Sequence, residues 1–145
     1  MEIRELIQLM RKFQLLHRQQ LQQIMVNEGI FWGQLPILEE IRKKGCCTQK
    51  ELVDTLQVSP PSITTSIKRL EKKGYLQKEI SQSDQRCTHI SITPKGNDIC
   101  IRCRNKFDEM DEKVFAGVSD NDKQLLYNIL LTLKHNIENV KEECK

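Results

Sequence analysis

Between Ser59 and Lys73 the chain carries hydroxyls and cations at Ser62, Thr64, Thr65, Lys68 and Arg69, with Ile63, Ile67 and Leu70 spaced among them. A helix sorts that spacing into an apolar face for anchoring and a polar face for contact. Ser and Thr hydrogen-bond base edges or phosphates, and Lys and Arg pair with phosphates or guanine edges. Ser59 is the expected cap, with Pro60 at the first helical position and Pro61 after it; such an N-terminus also favours a nearby phosphate. Further along, a polar turn at Ser81–Asp84 leads to Arg86, whose guanidinium suits the negative potential of a narrow minor groove. Asp84 is placed to hold the tip's shape or to orient an arginine through a charge-assisted bond.

Thiols and imidazoles are the other reactive groups. Cys46 and Cys47 are adjacent, Cys100 and Cys103 fall near one helix face, and Cys87 and Cys144 are isolated. Two readings stand: redox sensing or soft-metal binding, or cysteine as a small buried apolar residue. His17, His89 and His135 are scattered, without an acidic cluster. There is no Gly-rich phosphate loop, metal-ligand cluster or Ser/His/Asp spacing that suggests an enzyme. The reading therefore assigns no catalytic residue, no metal ligand and no cofactor.

These groups need a scaffold, and the chain is mostly helical by pattern. Residues 2–27 read as a long helix with a heptad seam at Ile3, Leu6, Met10, Phe13, His17, Gln20 and Ile24. A second helix is expected from Trp32 to Lys44, ending at Gly45. Thr48 and Glu51 form a capping-box pattern that opens a short helix through Leu56, with Leu52, Val53 and Leu56 inward. After the tight Gln57-Val58 connection comes the Ser59–Lys73 helix, stopped by Gly74. Tyr75–Ile80 and Cys87–Thr93 alternate as strands of a hairpin. Thr93-Pro94 opens a helix to about Val114, Ala116-Gly117-Val118 breaks it, and Ser119 with Asp122 caps a last one. That helix carries a second seam at Leu126, Leu130, Leu133, Ile137 and Val140.

Charge is uneven. Residues 42–95 hold eleven Lys/Arg against five Asp/Glu, while residues 1–41 hold four against five and residues 96–145 eight against ten. A localised basic third attracts a polyanion by counterion release. No apolar run approaches a membrane span, and the N-terminus lacks the pattern of a signal peptide, so a cytoplasmic protein is expected.

The ordered motifs resemble the MarR family of winged helix-turn-helix regulators. The carriers are Thr48-Gln49-Lys50-Glu51-Leu52, Val58-Ser59-Pro60-Pro61-Ser62-Ile63-Thr64 and Leu70-Glu71-Lys72-Lys73-Gly74-Tyr75-Leu76. The wing motif Asp84-x-Arg86 and Ile92-Thr93-Pro94-Lys95-Gly96 complete the set. The resemblance implies a mainly α chain, with a two-stranded β wing and long terminal dimerisation helices. It implies a single domain over residues 1–145, with 1–30 and 94–145 for dimerisation and 31–93 as the winged lobe. It implies a homodimeric regulator, a repressor, on a pseudo-palindromic operator in double-stranded DNA, with no membrane partner. The expected DNA-contacting set is Thr48, Gln49, Ser59, Pro61, Ser62, Thr64, Thr65, Lys68, Arg69, Asp84 and Arg86. Many members carry a basic residue near Thr65, so base preference does not transfer.

The resemblance also implies regulation by a small ligand, a metal or cysteine oxidation, and an aromatic or anionic small molecule is the expected effector. Phe13, His17, Phe31 and Trp32 are candidate pocket walls, and Arg42 or Arg102 a partner for a carboxylate; core packing is the competing reading for the aromatics. The thiol-peroxide branch of the family uses a first-helix cysteine, which this chain lacks. A thiol-redox-sensing regulator and a winged-helix interaction module without DNA binding remain the alternatives.

Overall fold

The computed structural model describes residues 1–84 and 86–143, with side chains described through residue 140 save Gln85; Cys144 lies outside the described residues. The order is α1 (Ile3–Asn27), α2 (Leu35–Lys44), β1 (Cys46–Cys47), α3 (Gln49–Leu56), α4 (Pro60–Lys72), β2 (Leu76–Ile80), β3 (Thr88–Ile92), α5 (Pro94–Val114) and α6 (Asp120–Glu143). The chain divides into two units, Met1–Asp108 and Glu109–Lys145.

In the first unit, Ile30, Ile37, Leu38, Ile41, Leu52, Ile63, Ile67, Leu70, Ile90 and Ile99 are fully buried. Each apolar side chain so removed from water contributes roughly 1.5–3 kcal/mol. The Ile63/Ile67/Leu70 stripe of α4 thus faces the core, as its spacing predicts, and turns the polar side outward. Val53 and Leu56 pack at the edge of the same core.

Three local differences from the sequence reading have physical causes. The second helix starts at Leu35, not Trp32, because Pro36 sets its first turn and the Gln34 side chain accepts the Phe31 N–H at 3.2 Å. A third strand, β1, pairs antiparallel with β3 through Cys46↔Ser91 and Cys47↔Ile90, giving sheet order β1-β3-β2. The hairpin strands are shorter than expected, β2 by Tyr75 and β3 by Cys87 and Thr93 at its two ends: Tyr75 instead closes α4, its N–H bonding the Leu70 carbonyl at 3.0 Å.

Cys47, Cys100 and Cys103 are buried in this core and act there as small apolar residues. Gly96 is required by close approach: a Cβ there would lie 2.2 Å from the Tyr75 carbonyl oxygen. On α1, Ile3, Leu6 and Phe13 of the heptad seam are exposed.

In the second unit, Ser119 opens α6 by accepting the Asp122 N–H at 3.1 Å. The α6 seam is uncovered, with Leu126, Leu130, Leu133, Ile137 and Val140 each 40–61% exposed. Among the described residues no helix is long and apolar enough to cross a membrane.

Candidate nucleic-acid interface

The site begins at Thr48. Its hydroxyl accepts the Glu51 N–H at 3.2 Å, and the Glu51 carboxylate accepts the Thr48 N–H at 2.8 Å, closing the capping box that starts α3. α3 ends at Gln57, whose φ of +53° is left-handed; its side chain donates to the Asp54 carbonyl at 2.7 Å. That sharp exit delivers the chain to Ser59 and α4.

Ser59 holds the N-cap position, but its side chain does not cap as expected: it donates to the Ser62 hydroxyl at 2.8 Å. Pro60 and Pro61 remove two N–H groups from the first turn, so less capping is needed. Thr64 and Thr65 donate back to the Pro60 and Pro61 carbonyls at 2.9 and 3.0 Å. The Gln49 amide donates to Thr64 at 2.5 Å, bringing two expected contact residues together across the turn. Ser59, Pro61, Ser62, Thr65, Lys68 and Arg69 are exposed, and Thr48, Gln49 and Thr64 half-buried.

The wing is tied to the end of α4 by contacts among residues whose motifs the sequence shows but whose pairing it does not. Lys78 of β2 pairs with Glu71 at 3.3 Å. Lys95 donates to the Lys73 carbonyl at 2.9 Å and lies 5.4 Å from the Tyr75 ring centre. Thr93 donates to the Gly74 carbonyl at 2.5 Å. No periodicity reports these pairs, because each joins two elements. At the tip, Asp84 accepts the Arg86 backbone N–H at 3.0 Å, so of its two expected roles it holds the turn's shape. The Arg86 side chain is exposed and, among the described residues, has no ion pair.

The MarR family model matches residues 30–88, which hold α2 to β2 and the wing tip and end at the first residue of β3. The chain is 30% identical to the uncharacterized HTH-type transcriptional regulator YwoH of Bacillus subtilis, over 66% of this chain and 69% of YwoH. It is 27% identical to the HTH-type transcriptional regulator BilQ of Clostridium symbiosum, over 74% of each. The chain belongs to the MarR family of winged helix-turn-helix transcriptional regulators.

Solved structures agree on the fold. The YusO protein of B. subtilis superposes with a TM-score of 0.83 at 19% identity, covering 93% of this chain and 99% of that one. A mutant of MarR from E. coli, complexed with operator DNA, superposes at 0.64 with 20% identity, covering 92% and 99%.

This MarR-family chain also has a cleft of about 230 Å³ in its first unit, lined by Leu21, Met25, Trp32, Leu35, Pro36, Glu39, Arg104 and Phe107. Of the expected pocket residues only Trp32 lines it, and the Arg18 guanidinium lies 5.1 Å from the Trp32 ring centre. Phe13 and His17 stack on each other at 5.7 Å instead. Phe31 is exposed and carries the Lys73 ammonium 5.2 Å from its ring centre. Arg42 donates to Asn97 at 2.7 Å, and Arg102 joins Lys106 on the protein's own Glu28 carboxylate. Those two cations hold the Glu28 carboxyl below its ordinary range, Lys106 most strongly. The cation at the cleft is Arg104, 3.5 Å from Glu39, which the sequence reading missed because only packing fixes the face of α5.

The thiols divide by burial. Desolvation pushes Cys47 up to about 11 and Cys100 up to about 12, and raises Cys103. Cys46 is exposed and Cys87 half-buried. Among the described residues no group of three or more His, Cys, Asp or Glu could hold a metal ion.

Proposed function

We propose that this regulator binds a pseudo-palindromic DNA operator as a homodimer, each subunit placing α4 in a major groove and the wing tip along the adjoining minor groove. The observation that carries this reading is the division of α4. Ile63, Ile67 and Leu70 are fully buried, while Ser62, Thr65, Lys68 and Arg69 stand exposed. An anchored helix with a free polar face meets the geometric need of major-groove recognition. The operator complex of a MarR mutant, on the same fold, supports it.

The dimer reading rests on apolar side chains that one chain leaves exposed, Ile3, Leu6 and Phe13 of the α1 seam and all five of the α6 seam. Exposed apolar stretches of that size mark association surfaces. Residues 1–30 and 94–145 supply this interface, and residues 31–93 the DNA-binding lobe. A dimer seated on its operator excludes other proteins from that DNA, the simplest route to repression. A small molecule in the Trp32 cleft would shift this equilibrium only by binding better to one state than the other.

Selection of bound DNA from a random pool tests the reading. It predicts an inverted repeat with half-site centres ~34 Å apart, one helical turn, or a multiple of that. A pool without an enriched motif, or a protein that sediments only as monomer at micromolar concentration, would refute it.

A further inference from the structure

We infer that Thr65 reads a thymine through its methyl group and rejects guanine, so that each half-site presents an A·T pair, thymine facing Thr65. This rests on α4 being the helix that enters the major groove. A threonine hydroxyl has one proton to give and two lone pairs. At Thr65 the proton is spent on the Pro61 carbonyl, one turn back at 3.0 Å. An oxygen held that way lies against its own helix, which leaves the methyl as the branch free for an outside contact.

Guanine presents only acceptors, N7 and O6, on its major-groove edge. Thr65 has no proton left for them, and an acceptor pressed against acceptors without water is costly. Thymine presents a C5-methyl group, which an apolar branch can pack against. Thr64 is not an equivalent reader: it is half-buried, donates to Pro60 and accepts from Gln49. The donors on this face are elsewhere. Ser62 accepts from Ser59 and keeps its own proton, and Lys68 and Arg69 are exposed cations. Phosphates and guanines therefore fall to those three, and Thr65 takes the methyl.

The test uses the site that wild-type protein selects. Each thymine is replaced in turn by deoxyuridine, which lacks only the methyl, and Kd is measured for wild type, Thr65→Val and Thr65→Ser. Both substitutions are conservative at an exposed position. One thymine per half-site should lose about fourfold in affinity on demethylation, the worth of one buried methyl-sized group. Thr65→Val should keep that sensitivity, Thr65→Ser should lose it, and guanine at the same position should bind wild type worst. A flat deoxyuridine scan, a sensitivity that Thr65→Ser keeps or Thr65→Val loses, or a preference for guanine there would each overturn the assignment. If no site is selected at all, the α4 reading falls and this one with it. A selected site with a flat scan removes only the role of Thr65.

Discussion

The Gln49 side chain, at the start of α3, donates to the Thr64 hydroxyl of α4 at 2.5 Å, and Thr64 passes its own proton to the Pro60 carbonyl at 2.9 Å. The relay spans the turn of the helix-turn-helix. It ties α3 to α4 across that turn with no charge involved.

Replacing Gln49 by Ala removes one net hydrogen bond, so unfolding free energy should fall by about 1 kcal/mol. Operator affinity should fall as well, because α4 loses its brace. The slope of affinity against salt should stay as in wild type, since no phosphate-neutralising charge is lost. Urea denaturation and a salt titration of DNA binding check the two halves separately.

Gly96 admits no side chain. An added Cβ would meet the Tyr75 carbonyl oxygen at 2.2 Å and Ile92 Cγ1 at 2.8 Å. Because the first of these is backbone at the root of the wing, relief requires moving β2 or α5. Gly96→Ala should cost about 3 kcal/mol or more, the upper part of the range for overpacking. Thermal denaturation should show it, and a variant with wild-type stability would contradict the contact.

Glu28 gives an acid-side signature. Lys106 and Arg102 hold its carboxyl below the ordinary 4.5, against the opposing effect of burial. A depressed folded-state value means the stabilisation is fully present above the ordinary value and drains away as pH falls through the lowered one. Glu28→Gln should therefore be less stable than wild type at neutral pH, and the two curves should converge below 4.5. Parallel curves down to acid pH would show that the pairing carries no stability.

Thiol reactivity should follow burial. The thiolate is the nucleophile, and Cys47, Cys100 and Cys103 are buried with raised values. Of the five described cysteines, Cys46 should be alkylated first, Cys87 more slowly, and the buried three only on unfolding. Peptide mapping after brief labelling decides this; early modification of Cys100 would mean that α5 opens readily.

Much of this architecture was legible in the sequence, for reasons tied to particular residues. The stripe Ile63/Ile67/Leu70 repeats at the helical period, so the inward face of α4 followed from spacing, and with it the outward set. The Thr48/Glu51 box is local in sequence, and both of its bonds are present. What spacing could not show was pairing across distance. β1 has two residues, too few for any alternation, and exists only because β3 lies beside it. Trp32, an apolar residue, fits the helical period, yet Pro36 sets the first turn and the helix starts at Leu35. Arg42 and Arg102 were candidates for a ligand carboxylate, but the fold engages them with Asn97 and Glu28 and leaves Arg104 at the cleft.

The Arg86 wing tip and α4 together are proposed to hold DNA. The salt dependence of operator affinity, compared between wild type and Arg86→Ala, tests this most directly. If the Arg86 guanidinium neutralises phosphate charge, the variant should bind more weakly, and its log–log slope should be shallower by about one counterion per subunit. An Arg86→Ala protein with wild-type affinity and wild-type slope would contradict the assignment of this surface.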